Sequence, residues 1–88
     1  MPVKIELFVS DFCPYCPTAK KVVQELCAKF KDVEVEEVNT SKPDGIVKAA
    51  KYQIYAIPTV VINGKTTLIG VPNRDELAKA IEAELKKC

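Results

Sequence analysis

Cys13 and Cys16 stand three positions apart in the stretch FCPYCP, residues 12 to 17. A pair so spaced has three chemical uses: two thiolate ligands for a metal, an inert cross-link, or a couple that cycles between dithiol and disulfide. The metal use calls for more ligands than the motif holds. The chain has no histidine, and of its four cysteines only Cys27 and Cys88 remain. A four-cysteine zinc site would need both to converge on the motif, one from the apolar side of a helix and one from the chain terminus. Redox cycling is therefore the favoured use, with a metal or iron–sulfur carrier as the alternative of a different class.

The elements that must position the pair can be read from periodicity. Val3, Ile5, Leu7 and Val9 alternate as a strand does, and Phe8 makes its second face partly apolar. Ala19, Val22, Val23, Leu26 and Phe30 recur at helical spacing, which predicts a helix over about residues 14 to 31 with Pro14 in its first turn. VEVEEV, residues 33 to 38, predicts a second strand. Thr40 or Ser41 can cap a short helix over about residues 43 to 52, although Gly45 weakens it. PTVVI, residues 58 to 62, predicts a central strand opened by a proline. Asn63-Gly64 is a hairpin signal leading into KTTLIG, residues 65 to 70. Asn73 with Glu76 suits a helix cap, and Leu77, Ile81 and Leu85 form the stripe of a last helix. Two strands joined by a helix should be parallel, and the hairpin pair antiparallel. The expected fold is α/β: a four-stranded mixed sheet in the order β-α-β-α-β-β-α, with helices on both faces. A Cys-x-x-Cys where the first strand hands over to the first helix is the setting of a thioredoxin-like redox motif.

Composition narrows the function further. The chain of 88 residues suffices for one domain, 1–88, and 48% apolar residues can supply its core. Thirteen basic and twelve acidic residues are mixed along the chain and leave a net charge of +1. That balance argues against nucleic-acid and membrane-surface partners. MPVKIELFVS carries Lys4 and Glu6 inside its apolar run, so it reads as neither a signal peptide nor a membrane span. A cytoplasmic monomer is the expectation, and in a reducing cytosol disulfides are usually transient and catalytic.

The chain, over about residues 3 to 86, resembles the thioredoxin superfamily in its small form. CPYC matches the tetrapeptide typical of glutaredoxins, whereas IELFVSDFCPYCPTAKKVV, AIPTVVINGK and LIGVP look more like the small archaeal thioredoxins, sometimes called glutaredoxin-like. The resemblance implies a thiol–disulfide oxidoreductase that reduces protein disulfides and needs no cofactor. Its partners would be disulfide-containing proteins and a thioredoxin-reductase-type donor. The rival within the superfamily is a glutathione-dependent glutaredoxin. Cys13 would be the nucleophile, favoured as a thiolate by the amides and dipole of the helix N-terminus. Cys16, one turn in and more buried, would resolve the mixed disulfide.

Around the pair the expected substrate-facing rim is Phe12, Pro14, Tyr15, Ile57, Pro58, Gly70 and Val71: Phe12 and Tyr15 flank the thiols, Phe12 being equally consistent with a partly packed aromatic, and the resemblance implies that Ile57, Pro58, Gly70 and Val71 lie beside them. Pro58 would be cis and present the backbone of Ile57 to the substrate; on the residues alone a trans, strand-opening proline ranks first. Cys27 reads as a small buried hydrophobe and Cys88 as a bystander. Lys20, Lys21, Lys48 and the other helix lysines read as solvated faces. Two departures stand out. The position six residues before the first cysteine, a buried acid in larger thioredoxins, is Leu7, and the usual tryptophan before that cysteine is Phe12. Proton handling would then fall to Asp11, water or Cys16 itself.

Overall fold

The computed structural model describes residues 3–86. Cys88 and Lys87 lie outside the described residues. The elements follow in the order β1 (Val3–Val9), α1 (Cys16–Cys27), β2 (Val33–Asn39), α2 (Pro43–Lys51), β3 (Thr59–Ile62), β4 (Thr66–Ile69) and α3 (Arg74–Lys86). The sheet runs β2-β1-β3-β4. β1 and β2 are parallel, with Val3 opposite Val33 and Leu7 opposite Glu37. β3 is antiparallel to β1, with Phe8 opposite Thr59, and β4 is antiparallel to β3. This is the mixed sheet that the strand periodicity and the hairpin signal imply.

β1 is central, and its alternation divides the core. Val3, Ile5, Leu7 and Val9 face a cluster with Cys16, Ala19, Val23, Leu26, Leu77 and Ile81, so α1 and α3 cover that side. Phe8 faces the other side, where it packs with Val38, Val61 and Ala49 under α2. Each fully buried aliphatic side chain in such a cluster is worth about 1.5–3 kcal/mol relative to exposure. Glu6 also points to the α2 side and is buried. The Tyr52 hydroxyl donates to its Oε1 at 3.0 Å, and Lys48 Nζ lies 3.8 Å from its Oε2 while binding Glu36 at 3.0 Å. The bond to Glu6 raises the Tyr52 hydroxyl pKa, and the bond to Lys48 lowers that of Glu36.

Several boundaries differ from the sequence expectations. α1 begins at Cys16, not Pro14: its first helical bond runs from Ala19 N–H to the Tyr15 carbonyl at 3.1 Å. Pro17, not Pro14, therefore occupies the first turn. α1 also ends early, because Lys29 and Phe30 N–H groups bond the Leu26 and Cys27 carbonyls three residues back. That tighter turn keeps Phe30 against the core after the α-helix has stopped. Neither Thr40 nor Ser41 caps α2; Lys42 occupies that position without a side-chain bond. Thr40 instead donates through N–H and Oγ1 to the Val9 carbonyl at 2.7 and 2.9 Å, joining the ends of β1 and β2. The Asn63 and Gly64 φ angles of 52° and 69° are those of a two-residue hairpin turn. Asn73 Oδ1 accepts from Asp75 and Glu76 N–H at 2.8 and 3.3 Å and caps α3.

Gly45 is required where it stands. It is buried in the first turn of α2, and a Cβ there would overlap the Asn39 carbonyl at the end of β2. Gly45→Ala should cost about 2–3 kcal/mol by overpacking, although alanine is the better helix former. Urea unfolding measures it; a midpoint at or above that of the natural chain would show that α2 does not need this close approach.

Candidate active site

β1 delivers the chain to a loop that is pinned from the neighbouring strand. Asn39 Nδ2 donates to Asp11 Oδ1 at 2.8 Å, the Asp11 N–H donates to Ser41 Oγ at 3.0 Å, and the Ser41 N–H returns to Asn39 Oδ1 at 2.8 Å. The Phe12 N–H donates to Ser10 Oγ at 3.3 Å. From this clamp the chain turns through Cys13, Pro14 and Tyr15, and the Cys16 N–H closes the turn on the Cys13 carbonyl at 3.4 Å. Cys13 and Cys16 are disulfide-bonded, with their Cα atoms 5.4 Å apart. Cys16, the first residue of α1, is 5% exposed and part of the core cluster. Cys13 lies outside the helix, half-buried.

The helix head that faces the sulfurs has few free donors. Cys16 N–H is used in the turn, Pro17 has none, and Ala19 N–H is bonded to Tyr15. The Thr18 amide and the dipole of α1, a helix of 12 residues, remain to favour negative charge there.

Two further loops leave the same end of the sheet. Because Phe8 pairs with Thr59, Pro58 stands across from the end of β1 where the cysteine loop departs. The Ile57–Pro58 bond is cis, as the family resemblance implies, and Pro58 is buried. The Gly70 N–H donates to the Pro58 carbonyl at 2.8 Å, with Gly70 at φ 87°, so the turn after β4 is tied to the proline. Phe12 is 91% and Tyr15 66% exposed, while Ile57 and Val71 are exposed by 36% and 40%. Phe12 thus carries none of the packing that its size would suggest. Pro14 is exposed between the cysteines.

A cleft of about 300 Å³ opens beside the disulfide, lined by Ser10, Asp11, Cys13, Cys16, Pro17, Lys20, Glu37 and Asn39 among others. A larger cleft, about 670 Å³, lies between β2 and α2 and is lined by no cysteine. Sequence reasoning overlooked Glu37 and Asn39 and set Lys20 aside as a solvated lysine. Lys20 pairs with Glu37 at 2.9 Å. The signal available was its spacing, four residues after Cys16 and so on the same helix face. Cys27, eleven residues along α1, lies about 16 Å from Cys16 along the axis and does not join the motif. Among the described residues no group of three or more histidine, cysteine, aspartate or glutamate side chains gathers as metal ligands.

Comparison with known proteins places this geometry in context. The family model described as thioredoxin domain matches residues 1–82. The thioredoxin of Methanocaldococcus jannaschii is 48% identical over 84 residues, covering 94% of this chain and 96% of that one. A probable thioredoxin of Methanothermobacter marburgensis is 41% identical over 87 residues, covering 98% of this chain and all (100%) of that one. Among solved structures, a single-site mutant of the Halobacterium salinarum thioredoxin superposes with a TM-score of 0.77 at 26% identity, covering 92% of this chain and 73% of that one.

Burial sets Cys27 apart chemically. It pushes the thiol up from 9.0 to about 11. The native state therefore holds this proton more tightly than the unfolded chain does. The associated stability is intact below about pH 9 and declines as pH rises to about 11. Cys27 should resist iodoacetamide at neutral pH until the protein unfolds, and Cys27→Ala should flatten the loss of stability between those pH values. Native Cys27 that alkylates as fast as a free thiol would contradict this.

Proposed function

The chain belongs to the thioredoxin domain family, and from that premise we propose a dithiol cycle in which Cys13 attacks and Cys16 resolves. The protein is a thiol–disulfide oxidoreductase that reduces disulfides in proteins. One observation carries the division of labour: the two sulfurs of one motif differ in access, Cys13 lying outside α1 and Cys16 being 5% exposed within it. Cys13, as thiolate, attacks a substrate disulfide. A mixed disulfide forms and one substrate thiolate leaves. Cys16 then loses its proton and attacks Cys13 Sγ; the Cys13–Cys16 disulfide forms and the second substrate sulfur departs with the electron pair. An incoming polypeptide can reach Cys13 but not Cys16, so resolution stays intramolecular.

The substrate would lie across the apolar rim of Phe12, Pro14, Tyr15, Ile57, Gly70 and Val71, with the backbone at Ile57, just before Pro58, taking it in a short β-like pairing. Exposed aromatics supply area for many sequences without demanding one.

A thioredoxin-reductase-type protein is the proposed electron donor. CPYC alone favours glutathione, which is the specific reason to keep a glutaredoxin reading in view. The surroundings argue against it. Where a glutaredoxin typically carries a lysine for a glutathione carboxylate, this chain has Ser10, followed by Asp11, whose carboxylate is held at the loop by Asn39. Its charge would repel that anion. Ala56 replaces the threonine of the glutaredoxin pattern, and Gly70 is followed by Val71 and Pro72, which leaves less open backbone for a tripeptide. Among the described residues no helix is long and apolar enough to cross a membrane. A cytoplasmic monomer fits this reading.

In insulin reduction, Cys13→Ser should abolish activity, a loss of at least a hundredfold given that the attacking thiolate is gone. Cys16→Ser should attack once and accumulate a mixed disulfide visible by mass. Turnover by Cys16→Ser at the natural rate would remove Cys16 from the cycle. At equal enzyme concentration, a dithiol reductase should sustain turnover far better than glutathione. If millimolar glutathione sustained it and no dithiol reductase did, the protein would be a glutaredoxin in function.

A further inference from the structure

Resolution requires that Cys16, a buried thiol, lose its proton. Buried thiols hold protons more tightly than free ones, and the core around Cys16 offers no base: Leu7, Val9, Ala19 and Val23 are apolar. Polar groups reach Cys16 at the cleft beside the disulfide, which Cys16 itself lines. Its charged groups are Asp11 from the loop, Lys20 from α1 and Glu37 from β2. Val9 is the only β1 residue there.

These groups are not equivalent. Lys20 is cationic and cannot accept a proton. Asp11 precedes Cys13, and its Oδ1 is bound to Asn39 at 2.8 Å as part of the loop clamp. Glu37 stands opposite Leu7 in the β1–β2 register, and an ion pair at 2.9 Å ties it to Lys20 in the second turn of α1. Lys20 is four residues from Cys16 on α1, and with Glu37 both line this cleft. The cleft, at about 300 Å³, has room for several waters, each taking about 30 Å³ of liquid volume. It is also lined with enough polar groups to hold them.

We infer that Glu37, held by Lys20, accepts the Cys16 proton through water in this cleft during release of the mixed disulfide. This rests on the resolving role proposed for Cys16. The balance is simple. The Cys16 S–H proton passes to the Glu37 carboxylate while the thiolate attacks Cys13 Sγ. The Cys13–Cys16 bond forms, the bond from Cys13 to the substrate sulfur breaks, and the electron pair leaves with that sulfur. Glu37 then returns its proton to the departing thiolate or to solvent. The Lys20 ammonium is left beside a transient anion at Cys16, which it stabilises.

The reaction of the reduced protein with 5,5′-dithiobis(2-nitrobenzoate) separates the steps, in a Cys88→Ala background so that the terminal thiol is silent. The first thionitrobenzoate released reports attack by Cys13; the second reports attack by Cys16. In Glu37→Gln the first phase should be unchanged. The second should be slower by about a hundredfold at pH 7, the low end of general acid–base effects. The deficit should close as pH rises and hydroxide replaces the carboxylate, and Glu37→Asp should recover part of the rate. A second-phase pH profile in Glu37→Gln that superimposes on the parent's would overturn the assignment. So would equal slowing of both phases, which marks a distorted loop. If the parent itself released only one thionitrobenzoate from the motif, the resolving role of Cys16 would fail instead, and this inference with it.

Discussion

Where α1 starts governs the rest of the site. With the first helical residue at Cys16, its sulfur is drawn into the core formed with Leu7, Val9, Ala19 and Val23, while Cys13 stays in the turn outside. The start is held from two directions. Burial of Ala19, Val23 and Leu26 against β1 anchors the helix, and the Asp11–Asn39–Ser41 hydrogen bonds fix the length of loop that reaches it. Stability and chemistry are thus coupled through one loop of a few residues.

The same constraint decides how negative charge is accommodated. Pro17 in the first turn removes an amide, and the closing turn uses another, so the head of α1 acts on the sulfurs more through its dipole than through direct donors. The cleft on its flank adds one cation, Lys20, alongside the carboxylates of Asp11 and Glu37. With Asn39 they line the same cleft as Cys16. Both sulfurs border this cleft; they differ in that Cys13 lies outside α1 whereas Cys16 is buried at its start.

Some of this was legible in the sequence and some was not, for identifiable reasons. β1 announced itself because strict alternation has one structural meaning, and the Asn63-Gly64 hairpin because both residues tolerate positive φ. The cap on α3 followed from Asn73 for a similar local reason. The start of α1 was misplaced because Pro14 and Pro17 are both acceptable in a first turn, and only the turn closed by Cys16 on Cys13 chooses between them. Thr40 and Ser41 looked like caps because capping residues are recognised by type. Their hydroxyls are instead used by the ends of β1 and the cysteine loop, partners about thirty residues away in sequence. Gly45 looked like a weakness in α2, because nothing local discloses the Asn39 carbonyl pressed against it. Lys20 is exposed, as its sequence position implies, but its pairing with Glu37 is not legible for the same reason: that partner belongs to another element. Local rules read elements well, whereas the cleft is made by register between β1 and β2.

The dithiol cycle requires the two sulfurs of the motif to be chemically unequal in the reduced protein. Iodoacetamide alkylation followed against pH, with the modified cysteine identified by peptide mass, tests that directly. Cys13 should be modified first, at a rate that titrates below the free-thiol value of about 8.5, while Cys16 lags until high pH. Equal rates at Cys13 and Cys16, both titrating near the free value, would contradict the division of roles on which the mechanism stands.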